Sequence, residues 1–346
     1  MKTTAAVLVE LGKPLELAQL EIPALKPGQA LVEIAFSGVC HTQLLEARGL
    51  RGPDPFVPHC LGHEAGGTVV DVGSGVTKVK SGSRVILSWI KGSGFDVPGT
   101  VYDWNGRKVN AGGVTTFARH AVVAENRLTA VHEAFPLREA ALLGCAVPTG
   151  LGAVFNTAAP RPGQSLAVFG TGGIGLCAVA AARITGCTPI IAVDVSSARL
   201  DVARRMGATH TIDASQGDPV AALLKLTPGG ADFAVEASGR PEVMNQALLS
   251  VRNQGGVAVL VGNAPHAKML ALDPKQFNLG KRLLGTWGGD NVADRDFPRY
   301  CKLVEAGMLS LDPLLDRTYR LEEVNRALDD LEARTVARPL IDMSER

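Results

Sequence analysis

SLAVFGTGGIGLCAVAAARITG, residues 165–186, joins an apolar run to an alanine-rich run through Gly170-Thr171-Gly172-Gly173-Ile174-Gly175. The spacing is G-x-G-x-x-G, and its setting between a predicted strand and a predicted helix makes it more than a turn. The first glycine allows the tight turn and the second lets a pyrophosphate approach the backbone. The third lets helix and sheet pack closely, and the helix N-terminus faces the phosphates. Asp194 ends the run PIIAVD, 19 residues after Gly175. A carboxylate there accepts hydrogen bonds from the adenosine ribose and repels a 2′-phosphate, which favours NAD over NADP. Arg199 either bonds the ribose from the side or belongs to a solvated helix face.

Outward from this loop, the apolar runs SLAVFG, PIIAVD, ADFAVEAS and GGVAVLVG alternate with helical stretches such as SSARLDVARRMGA and PEVMNQALLSVR. That alternation predicts a parallel sheet covered on both faces. Upstream, from Ala5 to about Val131, short alternating runs cut by Gly and Pro predict an all-β unit. Between them, Leu137, Ala140, Ala141 and Gly144 fall at helical spacing, and Pro148 is expected to break that helix before a second begins near Thr149. From about Asp290 the chain reads as helical and polar. Residues 88–117 are glycine-rich but carry Trp89, Phe95, Tyr102, Trp104 and Phe117, a composition that suits either a pocket wall or a lid over core.

A chain of 346 residues favours two domains. With 35 Lys+Arg against 34 Asp+Glu there is no electrostatic footprint for nucleic acid or an acidic membrane surface, so small-molecule partners are expected. The N-terminus lacks the regions of a signal peptide and no apolar run is long enough to span a bilayer, so the expected location is cytoplasmic. The six cysteines show no framework spacing, which suits reduced thiols, some of them available as ligands.

LGHEAGG, residues 61–67, raises the question of a metal. A catalytic zinc takes three ligands from Cys, His and carboxylate and keeps one position open. His63 on the GHE turn, Cys40 after the run LVEIAFSG and Cys145 at the helix break are the donors that could converge from different loops. Each alone reads as core filling or an ordinary hydrogen-bonded side chain.

GVCHT (38–42), LGHEAGGTVVDVGSGVTKVKSGSRV (61–85), LGCAVPTGLGAVFN (143–156) and GTGGIG (170–175), in this order, resemble the zinc-dependent alcohol dehydrogenases of the medium-chain dehydrogenase/reductase superfamily. The match runs along essentially the whole chain. The resemblance implies an α/β protein with a GroES-like β-rich catalytic domain over 1–147 and 288–346. A Rossmann domain with a doubly wound parallel sheet would occupy 148–287, with the active site between the two. It implies Cys40, His63 and Cys145 as zinc ligands and Glu64 as a nearby acid able to bind the metal transiently. Thr42 would take the alcohol proton and pass it toward the nicotinamide ribose while hydride passes to the nicotinamide.

His41 matches a pyrophosphate-contacting position, Thr149 joins the cofactor set, and Val261 and Trp287 match places where backbone meets the nicotinamide. Trp89 and Phe117, with Trp104 beside them, match an apolar pocket suited to a primary or secondary alcohol of apolar or ring character. Relatives with a structural zinc carry four close cysteines where residues 88–120 have none, so one zinc per chain is expected. Gln43 stands where the family usually has an aspartate behind the histidine ligand, so polarisation of His63 is weaker or supplied otherwise. Leu45 replaces the histidine that ends a proton relay in some relatives. Cys60 is expected not to be a ligand. The resemblance also implies homodimers or homotetramers. The rival readings are a zinc-free enone or quinone reductase of the same superfamily and a non-catalytic nucleotide-binding protein.

Overall fold

The computed structural model describes residues 1–315 and 317–344. The chain divides into two compact units: Met1–Cys145 with Val292–Gly307 and Leu314–Arg346, and Ala146–Asn291 with Met308–Pro313.

The first unit is built on strands β1 (Lys2–Leu8), β2 (Glu16–Glu21), β3 (Gln29–Gly38), β4 (His59–Cys60), β5 (Glu64–Val72), β6 (Arg84–Ser88), β7 (Val101–Trp104), β8 (Arg107–Asn110), β9 (His120–Ala124) and β10 (Leu128–Ala130). Strands β1, β2, β7, β8 and β4 close a barrel. The other sheet is organised by β3, which pairs with β5 along one side. Its opposite side is shared by β9 over Gln29–Glu33 and by the strand Leu340–Asp342 over Phe36–Gly38. This central position explains why QALVEIAFSG is buried along most of its length and lacks a clean polar face. Helix α1 (His41–Ala47) follows β3, and α2 (Leu137–Leu142) packs on β5.

The second unit opens with α3 (Ala146–Gly152) and carries β11 (Leu166–Phe169), α4 (Gly173–Thr185), β12 (Ile190–Asp194), α5 (Ser197–Met206), β13 (His210–Asp213), β14 (Phe233–Glu236), β15 (Val257–Leu260) and β16 (Arg282–Gly285). Its sheet is parallel throughout, in the order β13-β12-β11-β14-β15-β16. This is the doubly wound order, in which the two halves diverge from β11 and β14 and ligands bind beyond the carboxyl ends of the strands. The interior strands read as unbroken apolar runs because helices cover both faces. β16, at the edge, is only half-buried.

The structure corrects three sequence expectations. Pro148 does not break a helix: it lies in the first turn of α3, where its missing N–H costs nothing, and the break falls earlier, after Leu142. The segment HTQLLEA is helical within the supposed all-β region. The C-terminal section is not only helical, because Thr318–Arg320 and Leu340–Asp342 are strands of the first unit's sheet.

The aromatic loop 88–117 contributes β7 and β8 to the barrel. Tyr102 is buried, and its hydroxyl accepts a hydrogen bond from the Val122 N–H at 2.9 Å. The Thr100 hydroxyl donates to the Val122 carbonyl at 3.3 Å. Neighbouring side chains thus satisfy both polar groups of one β9 residue on the side away from β3. Tyr102→Phe leaves a buried N–H unsatisfied and should lower stability by about 1–3 kcal/mol, measured as a shift of the urea midpoint at unchanged slope.

Candidate metal centre and dinucleotide loop

Cys40, His63 and Cys145 all lie in the first unit, and their donor atoms fall within 4.8 Å of one another. Cys40 is the N-cap of α1, where the chain leaves β3. His63 sits on the turn between β4 and β5. Cys145 follows Gly144, whose position tolerates no side chain: a Cβ there would lie 2.3 Å from the Leu87 carbonyl oxygen and 2.7 Å from the Glu64 Cβ. Glycine lets the end of α2 close onto β5 and β6, and so carries Cys145 to His63. The His63 Nε2 is 3.2 Å from the Cys145 Sγ. The Trp89 indole N–H donates to that same sulfur at 3.3 Å.

Two thiols and an imidazole, mutually close and largely removed from water, are a donor set that zinc takes. Tetrahedral zinc holds donors about 3.4–3.8 Å apart, given bonds of ~2.0–2.3 Å, so the three residues fit the ion with small adjustments. The electrostatics agree. A hydrogen bond from Cys145 holds the Cys40 thiol well below its ordinary value against the effect of burial, and the Arg338 charge adds to this. Cys145, as the donor to Cys40, is pushed well up, with burial adding to the shift. Burial opposes the imidazolium of His63, but the neighbouring Cys40 and Glu64 outweigh it and raise the ring's pKa. The site therefore attracts positive charge.

Glu64 is not one of the three converging donors. It is fully buried at the start of β5 and forms an ion pair with the guanidinium of Arg338, itself buried. Arg338 was not singled out in the sequence, although an arginine set among Val336, Pro339 and Leu340 at a terminal strand is the kind of charge that needs a buried partner. Gln43, in α1, reaches the centre: its Oε1 accepts the Cys40 N–H at 3.0 Å and its Nε2 contacts the His63 Nδ1. Thr42 is half-buried and His41 exposed on the same helix, while Leu45 is buried in the core. Cys60 lies in the barrel core, its thiol pushed up to about 12 by burial, and is not among the converging donors.

The structure gives two of the expected pocket aromatics core surroundings. Phe117 is fully buried in the core, packed behind Gly62, where a Cβ would lie 2.8 Å from its ring. It buttresses the turn that carries His63. Trp104 packs against the barrel core of β1, β2 and β8. The aromatic content of the loop was visible in sequence, but not which face each ring takes.

In the second unit, Gly170 has φ +87°, the left-handed turn that favours glycine. A Cβ on Gly175 would lie 1.8 Å from the Gly170 carbonyl oxygen, so only glycine lets α4 start this close to β11. A Cβ on Gly172 would meet nothing nearer than the Arg199 Nη1, 4.0 Å away. The backbone there is open to a close approach, with a guanidinium beside it. Gly173 and Ile174 begin α4. The Asp194 carboxylate is partly engaged, accepting from the Thr171 N–H at 2.6 Å, the Thr171 hydroxyl at 2.9 Å and the Ser196 N–H at 3.0 Å. It braces the glycine loop and retains acceptor capacity for a ligand hydroxyl. Thr149 is buried in α3, and its hydroxyl has no hydrogen-bond partner. The Val261 N–H donates to the Glu236 carbonyl at 2.8 Å. Trp287 is largely exposed, and its backbone N–H donates to the Asp290 carboxylate at 3.2 Å.

A family model for the alcohol dehydrogenase GroES-like domain matches residues 26–133, and one for zinc-binding dehydrogenases matches residues 173–306. The chain is 35% identical to an S-(hydroxymethyl)glutathione dehydrogenase of Synechocystis sp., over 95% of this chain and 96% of that one. It is 33% identical to an alcohol dehydrogenase class-3 of Cereibacter sphaeroides, over 96% and 97%. Among solved structures, a benzyl alcohol dehydrogenase from Acinetobacter calcoaceticus superposes with a TM-score of 0.91 at 30% identity, covering 99% of this chain and 100% of that one.

Breaking the Glu64–Arg338 pair from one side strands a buried charge. Arg338→Met should destabilise the protein by about 3–5 kcal/mol. Adding Glu64→Gln should recover a large part of the loss, measured by denaturant unfolding of both variants.

Proposed function

The chain belongs to the zinc-dependent alcohol dehydrogenases of the medium-chain dehydrogenase/reductase superfamily, and on that premise we propose how its own residues divide the work. The enzyme interconverts an alcohol and its carbonyl compound with NAD(H) and zinc. The observation that carries our reading is the convergence of Cys40, His63 and Cys145. These three residues hold the ion, and Glu64 stays with Arg338 beside it. Bound there, zinc supplies a Lewis acid that makes an alcohol hydroxyl acidic near neutral pH.

Thr42, two residues after Cys40 in the first turn of α1 and half-buried, accepts the alcohol proton at its hydroxyl oxygen and passes it on. Leu45 is buried and has no group to continue a relay, so the proton would leave Thr42 by another route, with water as the simplest acceptor. Trp89, tethered to Cys145 through its indole N–H, presents a rigid apolar surface next to the donors. It orients an apolar or ring-bearing alcohol and excludes water from it. With Phe117 and Trp104 in core positions, Trp89 is the aromatic residue that defines the pocket. A benzylic alcohol, the substrate class named for the Acinetobacter relative, suits such a wall.

In the second unit, Gly172 and the start of α4 would receive the pyrophosphate, with Arg199 as a cationic contact and Thr149 as a further polar one. Asp194 accepts from the adenosine ribose and disfavours a 2′-phosphate, which makes NAD the preferred form. The Val261 and Trp287 segments would meet the nicotinamide through their backbone.

The loop that would house a structural zinc is instead a hairpin inserting Tyr102 and Val109 into the barrel, which supports one zinc per chain. The unpaired, half-buried edge of β16 supports assembly into dimers or tetramers. Six buried thiols fit a reducing compartment, which supports a cytoplasmic setting. Among the described residues no helix is long and apolar enough to cross a membrane. Three convergent metal donors would serve no purpose in a zinc-free reductase.

Zinc per chain by elemental analysis, together with NADH formation across an alcohol panel, tests this reading. Wild type and Cys60→Ala should each hold close to one zinc, and Cys145→Ala should lose both metal and turnover. Thr42→Val should keep the zinc and lower kcat by about 100-fold or more. Full metal retention in Cys145→Ala would refute the ligand assignment.

A further inference from the structure

Gln43 joins two of the three donor residues, and its amide has one acceptor end and one donor end. The Cys40 N–H needs an acceptor and finds the Gln43 Oε1 at 3.0 Å. That bond orients the amide, so the Nε2 end faces the His63 Nδ1. An amide N–H₂ can only donate, so Nδ1 must offer its lone pair. In the neutral ring the proton is then on Nε2, the nitrogen that faces the Cys145 Sγ. This arrangement is satisfied at every atom, but it places a proton on the ring nitrogen turned toward the other donors.

A metal bound by Nε2 requires the ring proton on Nδ1, where it would confront the Gln43 N–H₂ donor to donor. Turning the amide over relieves that conflict and creates the same conflict at the Cys40 N–H. With Gln43 1% and Cys40 5% exposed, water is poorly placed to replace the lost partner. The amide completes the metal-free hydrogen-bonding pattern at both ends, but in the metal-bound pattern it can satisfy only one of the two groups. We infer that Gln43 is a positioning residue that weakens the hold of this centre on its metal, through the mismatch between its donor end and His63 Nδ1. The inference rests on the ligand assignment proposed above. A side chain of the same length with two acceptor oxygens would satisfy the Cys40 N–H and the His63 Nδ1–H together.

The test is zinc release from the full-length, zinc-loaded protein to an excess of a coloured chelator, for wild type and Gln43→Glu. Release should slow by about 10- to 100-fold in the variant, the scale on which partners of metal ligands act. Damage to the fold would speed release, so slowing cannot come from a disrupted structure. Long-range 1H–15N spectra of the metal-free proteins, at a pH where the ring is neutral, separate hydrogen bonding from added charge. The His63 proton should be on Nε2 in wild type and on Nδ1 in Gln43→Glu. If Gln43→Glu is not recovered folded, Gln43→Asp is measured with the same expected direction. A variant that takes up one zinc and releases it at the wild-type rate, or a wild-type ring already protonated at Nδ1, overturns the inference while leaving the ligand assignment standing. A wild-type protein that takes up no zinc overturns both.

Discussion

A carboxylate with no exposure to water, Glu64, immediately follows the histidine of the metal centre and is matched by Arg338, 274 residues later in the chain. Burying either ion alone would cost several kcal/mol, so the two must meet if the fold is to form. Their meeting constrains three segments at once. It fixes the start of β5 and hence the direction of His63. It holds the C-terminal strand against β3 over Phe36–Gly38. It also places a permanent positive charge beside two thiols, which steadies a thiolate in a site shielded from solvent. The Coulombic pairing is therefore less a source of net stability than a specification of which parts of the chain come together.

The metal donors themselves are held by ordinary means. Cys40 is where a strand becomes a helix, His63 is on a turn supported from behind by Phe117, and Cys145 follows a glycine that lets a helix end press onto two strands. No donor hangs from a long loop. A site assembled from the ends of regular elements keeps its geometry without the ion and gives up little conformational freedom when the ion binds. The second unit follows the same logic. The glycine loop needs no side chains of its own to meet a ligand, and Asp194 and Thr171 brace it from beneath.

Much of this was legible in the chain because the signals were local. The dinucleotide loop was read from glycine spacing with a strand before it and a helix after it, and each glycine takes up a position that explains it. The three metal donors were individually ambiguous, and their order and surroundings gave them meaning through a family resemblance. What the sequence did not disclose shares a cause: facts set by distant segments. Phe117 and Trp104 were visible as aromatic, but the side of the sheet each ring takes is decided by the barrel. Arg338 gave no hint of its partner because the partner is at the other end of the sequence. HTQLLEA is too short to show helical periodicity, and HTID too polar to announce a strand. Pro148 looks like a break because the first turn of a helix, where proline is harmless, cannot be placed without its boundary.

The return of the last strand to β3 has a consequence for how the protein is made. Residues 146–291 form nearly all of the second unit as one continuous stretch, so that unit can close while the ribosome is still working. The first unit emerges earlier but cannot finish. Until Leu340–Asp342 appears, the edge of β3 at Phe36–Gly38 lacks its partner and Glu64 lacks its counter-charge. The nascent chain therefore carries an open sheet edge through the whole synthesis of the second unit. Such an edge is a template for wrong pairings and a natural client for chaperones. Loss of even the final dozen residues would leave the earliest-made part of the molecule permanently in that state.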